Sequence, residues 1–338
     1  MLTERSAGPS FSGLEHTACG VTEKGSGRED FMDFLWVHFP VSGVDSFILF
    51  PPLVAFVVSF FTSMAGVSGA FLLLPYQMSV LSYVTPSVSA TNQVFNIVGI
   101  PSGVYRYFRE GRMVWPLTWA VIIGTLPGVF IGAWIRIFYL PDPKSFKLFV
   151  GIVLLYIGIR LAKDIIRGGR DAALAGKGKK GPEGGVCVTD SKFSLRCVEY
   201  KFAGQTYAFS PWGVLFLCFI VGVVGGVYGV GGGAIVAPFF VAIYKMPVYT
   251  VAGAALMGTF ITSVAGALFY QMLDFTSLST IAVAPDWALG FLFGVGGFGG
   301  MYLGARCQKY VPARSIKGIL ALIIAMTAAN YIVGFFAG

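Results

Sequence analysis

Charge is what this sequence has least of. The 338 residues hold 24 Lys+Arg and 16 Asp+Glu, only 12% of the chain, where a soluble domain carries about a quarter. With 56% hydrophobic residues and a mean hydropathy of +0.75, that shortage excludes a soluble enzyme, a disordered chain and a nucleic-acid reader. Histidine is scarcer still. His16 and His38 both lie outside the apolar runs, which leaves no haem ligand, membrane zinc-protease site or nucleophile–base pair there. The five cysteines, Cys19, Cys187, Cys197, Cys218 and Cys307, have no C-x-x-C spacing. Cys218 and Cys307, in or at the end of apolar runs, read as small packed residues, while Cys187 and Cys197 share the polar middle stretch, where a disulfide or metal role is the minor reading. Acids beyond residue 45 are confined to Glu110, Asp142, Asp164, Asp274 and Asp286 near the apolar runs, and to the polar middle stretch. No carboxylate or histidine stands inside a run to relay a proton.

What is present in excess is apolar sequence and glycine. Runs of about twenty apolar residues match the hydrocarbon thickness, and in lipid only helices or closed barrels satisfy their backbone hydrogen bonds. The short alternating strands of a barrel are missing. The chain is therefore expected to be an all-α polytopic membrane protein. Forty-five glycines exceed the usual share of about 7% without a collagen period.

Five apolar segments (46–66, 69–84, 88–106, 115–138 and 145–164) are followed by a polar stretch. Five more come at 211–229, 233–246, 248–270, 285–305 and 315–336. The layout predicts an N-terminal tail over 1–45, with a short interfacial helix at Phe31–Pro40 anchored by Trp36. A first transmembrane repeat covers 46–165, a cytoplasmic insertion 166–210 and a second repeat 211–338. No cleavable signal is evident in the tail. Within the insertion, Val198-Glu199-Tyr200-Lys201-Phe202 alternates as a strand, and Gly204 supplies a hairpin turn.

The halves resemble each other. Gly66-Val67-Ser68-Gly69-Ala70 aligns with Gly229-Val230-Gly231-Gly232-Gly233, and Pro75 with Pro238, at an offset of 163. The same offset superposes Gly103 on Gly266 and Tyr107 on Tyr270. Placing the insertion inside puts 18 Lys/Arg inside and 6 outside, as the positive-inside rule favours. Five crossings per half then invert the second copy relative to the first and leave both termini outside.

Inverted repeats with interrupted helices bind cargo near the midplane, where helix N-termini offer N–H groups to an anion. The duplicated glycine stretches are the expected interruptions: Gly66, Ser68 and Gly69 in one copy, Gly229, Gly231, Gly232 and Gly233 in the other. Close packing through small residues is the competing reading. No Gly-Lys-Ser/Thr comes after them, so no nucleotide loop is implied. Asn92, Gln93 and Asn96 open the helix after the first interruption, and Asn92 and Asn96, four apart, share a face. Thr259 is the repeat mate of Asn96, followed by Thr262 and Ser263. These donors suit the oxygens of an anion; ordinary interhelical hydrogen bonding is the alternative. Tyr76, Gln77 and Tyr228 are candidates to line a vestibule. Arg136 reads as a snorkelling interfacial residue.

Gly229-Val230-Gly231-Gly232-Gly233-x4-Pro238, its copy at Gly66–Pro75 and the Val88-Ser89-Ala90-Thr91-Asn92 helix opening resemble the TauE/SafE family of membrane transporters. That family is also called sulfite exporter-like or toluene-sulfonate uptake permease. The likeness covers roughly 46–164 and 211–338. It implies a secondary transporter of the prokaryotic inner membrane, exporting a small sulfur-containing anion such as sulfite, thiosulfate, a sulfonate or sulfoacetate. The lipid bilayer is the implied surrounding, and a second copy of the chain is an admissible partner; no cofactor and no metal are implied. The sequence departs from the pattern where the first copy has Ser68 and Ala70, and where Gly253-Ala254 replaces an expected threonine–serine pair. Uptake of the same anions, or a membrane sensor or scaffold acting through 166–210, are the other readings.

Overall fold

The computed structural model describes residues 35–64, 68–109, 111, 113–174, 189–193, 198–202, 205–244, 246, 248–276, 281–307 and 313–337. Gly66, Cys19, Cys187, Cys197 and Gly204 lie outside these residues. Positions up to Trp36 form one unit and Val37–Gly338 another; the described helices all belong to the second.

Long helices alternate with short ones. A two-stranded sheet, β1 (Trp36–Phe39) and β2 (Val44–Phe47), precedes α1 (Phe50–Met64), α2 (Ala70–Ser79), α3 (Ser87–Gly99), α4 (Pro101–Arg109), α5 (Trp115–Phe138) and α6 (Pro143–Leu174). Three antiparallel strands come next: β3 (Thr189–Phe193), β4 (Val198–Phe202) and β5 (Gln205–Phe209). The chain ends with α7 (Pro211–Tyr228), α8 (Gly232–Ile243), α9 (Val248–Phe275), α10 (Trp287–Cys307) and α11 (Ala313–Ala337). Six of the described helices are long and apolar enough to cross a membrane: α5, α6, α7, α9, α10 and α11.

Four details differ from expectation. Trp36–Phe39 is a strand, not part of an interfacial helix. The turn after Pro40 uses Gly43 at φ 66°, whose N–H donates to the Phe39 carbonyl at 2.8 Å. Helix α6 continues to Leu174, past the 166 boundary, because no proline stands between Pro143 and Pro182 to stop it. The insertion keeps the expected hairpin as β4–β5, whose register from Val198↔Phe209 to Phe202↔Gln205 brackets Ala203-Gly204, but adds β3 as a third strand. The segment 88–106 is two helices, broken at Ile100 before Pro101, which has no N–H to donate. Its counterpart α9 has no proline and runs unbroken.

Helix pairing repeats under exchange of the halves. Helix α5 packs on α7 and α9, as α10 packs on α1 and α3; α8 packs on α7 and α9, as α2 does on α1 and α3; α6 packs on α11. Both halves use glycine in the same way. Along α5, Gly124, Gly128 and Gly132 lie four residues apart, and a Cβ on Gly128 or Gly132 would fall 2.4 and 2.2 Å from the carbonyls of Phe219 and Val223 on α7. Along α10, Gly296, Gly300 and Gly304 would meet the carbonyls of Pro52, Phe56 and Phe60 on α1 at 1.9, 2.3 and 2.3 Å. Lipid gives helices no hydrophobic reason to associate, so backbone-to-backbone approach through small residues supplies the contact. Much of the glycine excess is this packing.

Loops from both halves meet at one end of the bundle. Ser87 Oγ donates to the Ala284 carbonyl, and Ser42 N and Oγ donate to Asp286 Oδ2 at 3.2 and 2.8 Å. Arg136 is there too, and it does not snorkel: its side chain is fully buried. The guanidinium stacks on the Phe146 ring, 3.6 Å from the centroid, and donates to the carbonyls of Leu140 and Val84. Lying in the last turn of α5, it supplies donors to two loop carbonyls, one just after its own helix and one between α2 and α3. At the opposite end, the first turns of α9 meet Tyr107 and Met113, and Gly213 on α7 meets the Tyr244 hydroxyl.

Candidate functional site

The second interruption is built by two glycines in backbone conformations that other residues avoid. Gly229 ends α7 in the left-handed region (φ 78°, ψ 23°). The Gly225 carbonyl there accepts the N–H of Gly229 at 2.9 Å and of Val230 at 3.0 Å, a common helix-ending pattern. Gly231, at φ 75° and ψ 148°, then starts α8. A Cβ on Gly229 would lie 2.3 Å from the Ser89 carbonyl, on Gly232 2.4 Å from Thr125 Cβ, and on Gly233 2.1 Å from the Ala255 carbonyl. The three glycines thus seat the start of α8 against α3, α5 and α9, so the close-packing reading of this stretch holds together with the broken-helix reading.

Of the first interruption, Ser68 and Gly69 lie among the described residues. Helix α1 ends at Met64 and α2 begins at Ala70, with Gly69 in ordinary helical geometry at φ −65° and ψ −21°. Its tight neighbour is Ser59, whose Oγ lies 2.8 Å from where a Cβ would stand. Ser68 Oγ accepts from the Ala70 N–H at 3.4 Å.

Helix α3 crosses both interruptions and ties them together. Asn92 Nδ2 donates to the Ala70 carbonyl at 3.0 Å and to the Gly229 carbonyl at 3.1 Å, while its Oδ1 accepts from Gln77 Nε2 at 3.4 Å. Asn96 Oδ1 accepts from Ser68 Oγ at 3.1 Å. Its Nδ2 donates to the Val230 carbonyl at 2.9 Å and to Ser263 Oγ at 3.3 Å. Each asparagine therefore holds one partner at each break, and both are fully buried. Tyr228 adds a third tie, its hydroxyl donating to the Phe71 carbonyl at 2.7 Å; being fully buried, it does not line a vestibule. Gln77 is likewise buried.

The remaining residues divide. Thr259 packs against Gly231 and Gly233, with its hydroxyl donating to the Ala255 carbonyl of its own helix at 2.8 Å. Thr262 donates to the Gly258 carbonyl at 2.7 Å, within its own helix rather than to either break. Gln93 is fully buried, and neither its Oε1 nor its Nε2 has a partner among the described residues. The amide sits over Gly266, where a Cβ would be 2.0 Å from Oε1. Ser59 Oγ and Gln77 Oε1 are also buried without partners among the described residues. Leaving such a group unpaired costs about 1–3 kcal/mol, and four such atoms, on three side chains, lie beside the crossing. The residues tied together here are all uncharged.

Sequence reasoning gave no site role to Ser89 and Thr125, which face the breaks from α3 and α5. Ser263, which it did count with Thr259 and Thr262 among the hydroxyl donors, faces them from α9. Nothing in the spacing pointed to Thr125.

A helical bundle with six membrane-length spans, whose halves pair crosswise around two interrupted helices, is an integral membrane protein of the transporter class. The family model described as "Sulfite exporter TauE/SafE" matches residues 52–331, and the chain belongs to that family. A protein of Bacillus subtilis (strain 168) described as "Probable membrane transporter protein YunE" is 21% identical over 282 residues, covering 80% of this chain and 92% of its own. No solved structure matches. The chain is a membrane transporter.

Proposed function

We propose that the protein exports a small sulfur-containing anion (sulfite, thiosulfate, or an organosulfonate such as sulfoacetate) across a prokaryotic inner membrane. The observation that carries this reading is the double tie of Asn92 and Asn96, which places two helix interruptions from different halves against one another. The matching family's description supplies the anion class.

In the arrangement described, the asparagine amides hold protein carbonyls and the interruptions are closed on themselves. Moving one half against the other frees Asn92 and Asn96, and exposes the first N–H groups of α8 and α2. An oxyanion then replaces the carbonyls and hydroxyls as partner, with Gln93, Ser68, Thr259, Thr262 and the backbone of Gly229, Gly231, Gly232 and Gly233 around it. The positive ends of α2 and α8 stabilise its charge. Because the two amides bind both breaks, releasing them on one side is linked to closing them on the other, which is alternating access.

The common end of loops 80–86, 139–142 and 281–286 fits five crossings per half, with the 166–210 insertion cytoplasmic, both termini outside and the repeats inverted. Export then needs no proton relay: an inside-negative potential favours anion efflux by about 2.3 kcal/mol per charge per 100 mV.

The test is purified protein in proteoliposomes, with flux and thermal shift measured for sulfite, thiosulfate, sulfate, taurine, sulfoacetate and a carboxylate control. At least one sulfur anion gives saturable, potential-dependent flux and a raised melting temperature. Equal responses to the carboxylate, or none at all, refute the assignment.

A further inference from the structure

Two cavities lie in line along α11 and α2. The first, about 560 Å³, has a mixed lining and sits where α2 ends and α6 begins; Ser79, Ser82, Lys144, Lys147, Asn330 and Tyr331 make its polar side. The second, about 430 Å³, is an apolar crevice between α1, α2 and α11, bounded by Val57, Phe61, Leu72, Val80, Ile319 and Ile323. Ser79 lines both. Its Oγ is 2.6 Å from the Tyr331 hydroxyl, which also donates to the Pro75 carbonyl at 3.0 Å, so the shared wall is fixed.

Charge and depth are matched to an amphiphile. Lys144 and Lys147 have no carboxylate within ion-pair distance among the described residues. The nearby Asp142 carboxylate accepts from Ser145 N and Oγ at 2.8 and 2.9 Å; the Lys144 N–H and charge act on it more weakly. The crevice runs along α11 from Ile319 to Thr327, roughly 12 Å at 1.5 Å per residue, close to the roughly 15 Å of one leaflet's hydrocarbon. It opens outward: Val57, Phe61, Val80, Ile319 and Ile323 are each at least 40% exposed, and α11 is the least buried span, at 22%. In a membrane those exposed faces meet acyl chains.

We propose that the paired cavities form a binding site for an anionic phospholipid. Its phosphate lies between Lys144 and Lys147, and one acyl chain lies in the crevice between α2 and α11. The occupant ties α2, which comes after the first helix interruption, to the α6–α11 pair. The site is separate from the Asn92–Asn96 crossing, and its test does not depend on transport.

Native mass spectrometry of the full-length protein, titrated with phosphatidylglycerol or with phosphatidylcholine of identical chains, reads the site. Wild type binds phosphatidylglycerol at least tenfold more tightly. The double substitution Lys144→Gln/Lys147→Gln removes that preference. Ile323→Trp, and independently Val80→Trp on the opposite wall, each weaken both lipids at least tenfold by filling the crevice. Equal binding of the two lipids to wild type, or an unchanged preference in the lysine variant, overturns the proposal. So does displacement of phosphatidylglycerol by an equal concentration of inorganic phosphate or sulfite, which would make the first cavity a free-oxyanion site.

Discussion

Replacing Asn96 by Leu keeps the volume of a buried side chain and removes three hydrogen bonds: from Ser68 Oγ, to the Val230 carbonyl and to Ser263 Oγ. Interhelical bonds in membrane proteins average about 0.6 kcal/mol each, so their loss costs about 2 kcal/mol. The Val230 carbonyl, just after the end of α7, is then left without its donor, which sets the upper range at about 4 kcal/mol. In detergent this appears as a melting temperature lowered by a few degrees. Flux should fall further than stability, by at least tenfold, because both breaks lose the same tie. Gly151→Val is the control: a Cβ there already stands 3.1 Å from Ile332 Cγ1 at the remote α6–α11 contact, so it lowers stability without touching the crossing. If Asn96→Leu melts with wild type, the hydrogen bonds do not carry the energy assigned to them. If it loses stability like Gly151→Val yet transports at the wild-type rate, the crossing is not the site.

Other outcomes are expected from the packing and the caps. Gly128→Leu and Gly300→Leu, each driven into a facing carbonyl at 2.4 and 2.3 Å, should abolish a monodisperse folded peak in fluorescence-detected chromatography. Gly318→Ala, with nothing within 4 Å, should leave that peak unchanged. Gly231→Ala places a side chain at φ 75°, costing about 1–3 kcal/mol in backbone strain, and lowers the melting temperature more than Gly69→Ala, where φ is −65°. Arg136→Met leaves the Val84 and Leu140 carbonyls without donors and should destabilise the protein, and Arg136→Lys should restore it only in part, having no planar fork to reach both. The Ser145 N–H, and then its hydroxyl, hold the Asp142 carboxyl below the usual carboxylate range. Its cap on α6 is therefore in place at neutral pH and lost as pH falls through that lowered value. Hydrogen exchange at the start of α6 should speed up only there, and Asp142→Asn should remove the dependence.

The long helices, the duplicated layout and the glycine interruptions were legible because each leaves a local mark: apolar run length, repeated spacing, Gly-Gly-Gly in a span. The four-residue spacing of Asn92 and Asn96 likewise announced one shared face. What they bond to did not show, since Ala70, Gly229 and Val230 act through backbone carbonyls, which no residue type advertises. Arg136 read as interfacial because a cation near a helix end usually snorkels; here the loop carbonyls of Leu140 and Val84 and the Phe146 ring receive it inside. The strand at Trp36–Phe39 was missed because an aromatic-rich segment before a membrane run fits an interfacial helix equally well, and only Gly43 decides the turn.

The account rests on the two interruptions separating and rejoining around the asparagines. In a chain whose own cysteines are replaced by alanine, Ser68→Cys and Ser263→Cys flank the Asn96 amide from opposite halves. A short bifunctional thiol reagent that bridges them should bring anion efflux from proteoliposomes to background, and dithiothreitol cleavage of the bridge should restore it. Efflux that continues undiminished with both thiols bridged would contradict the mechanism.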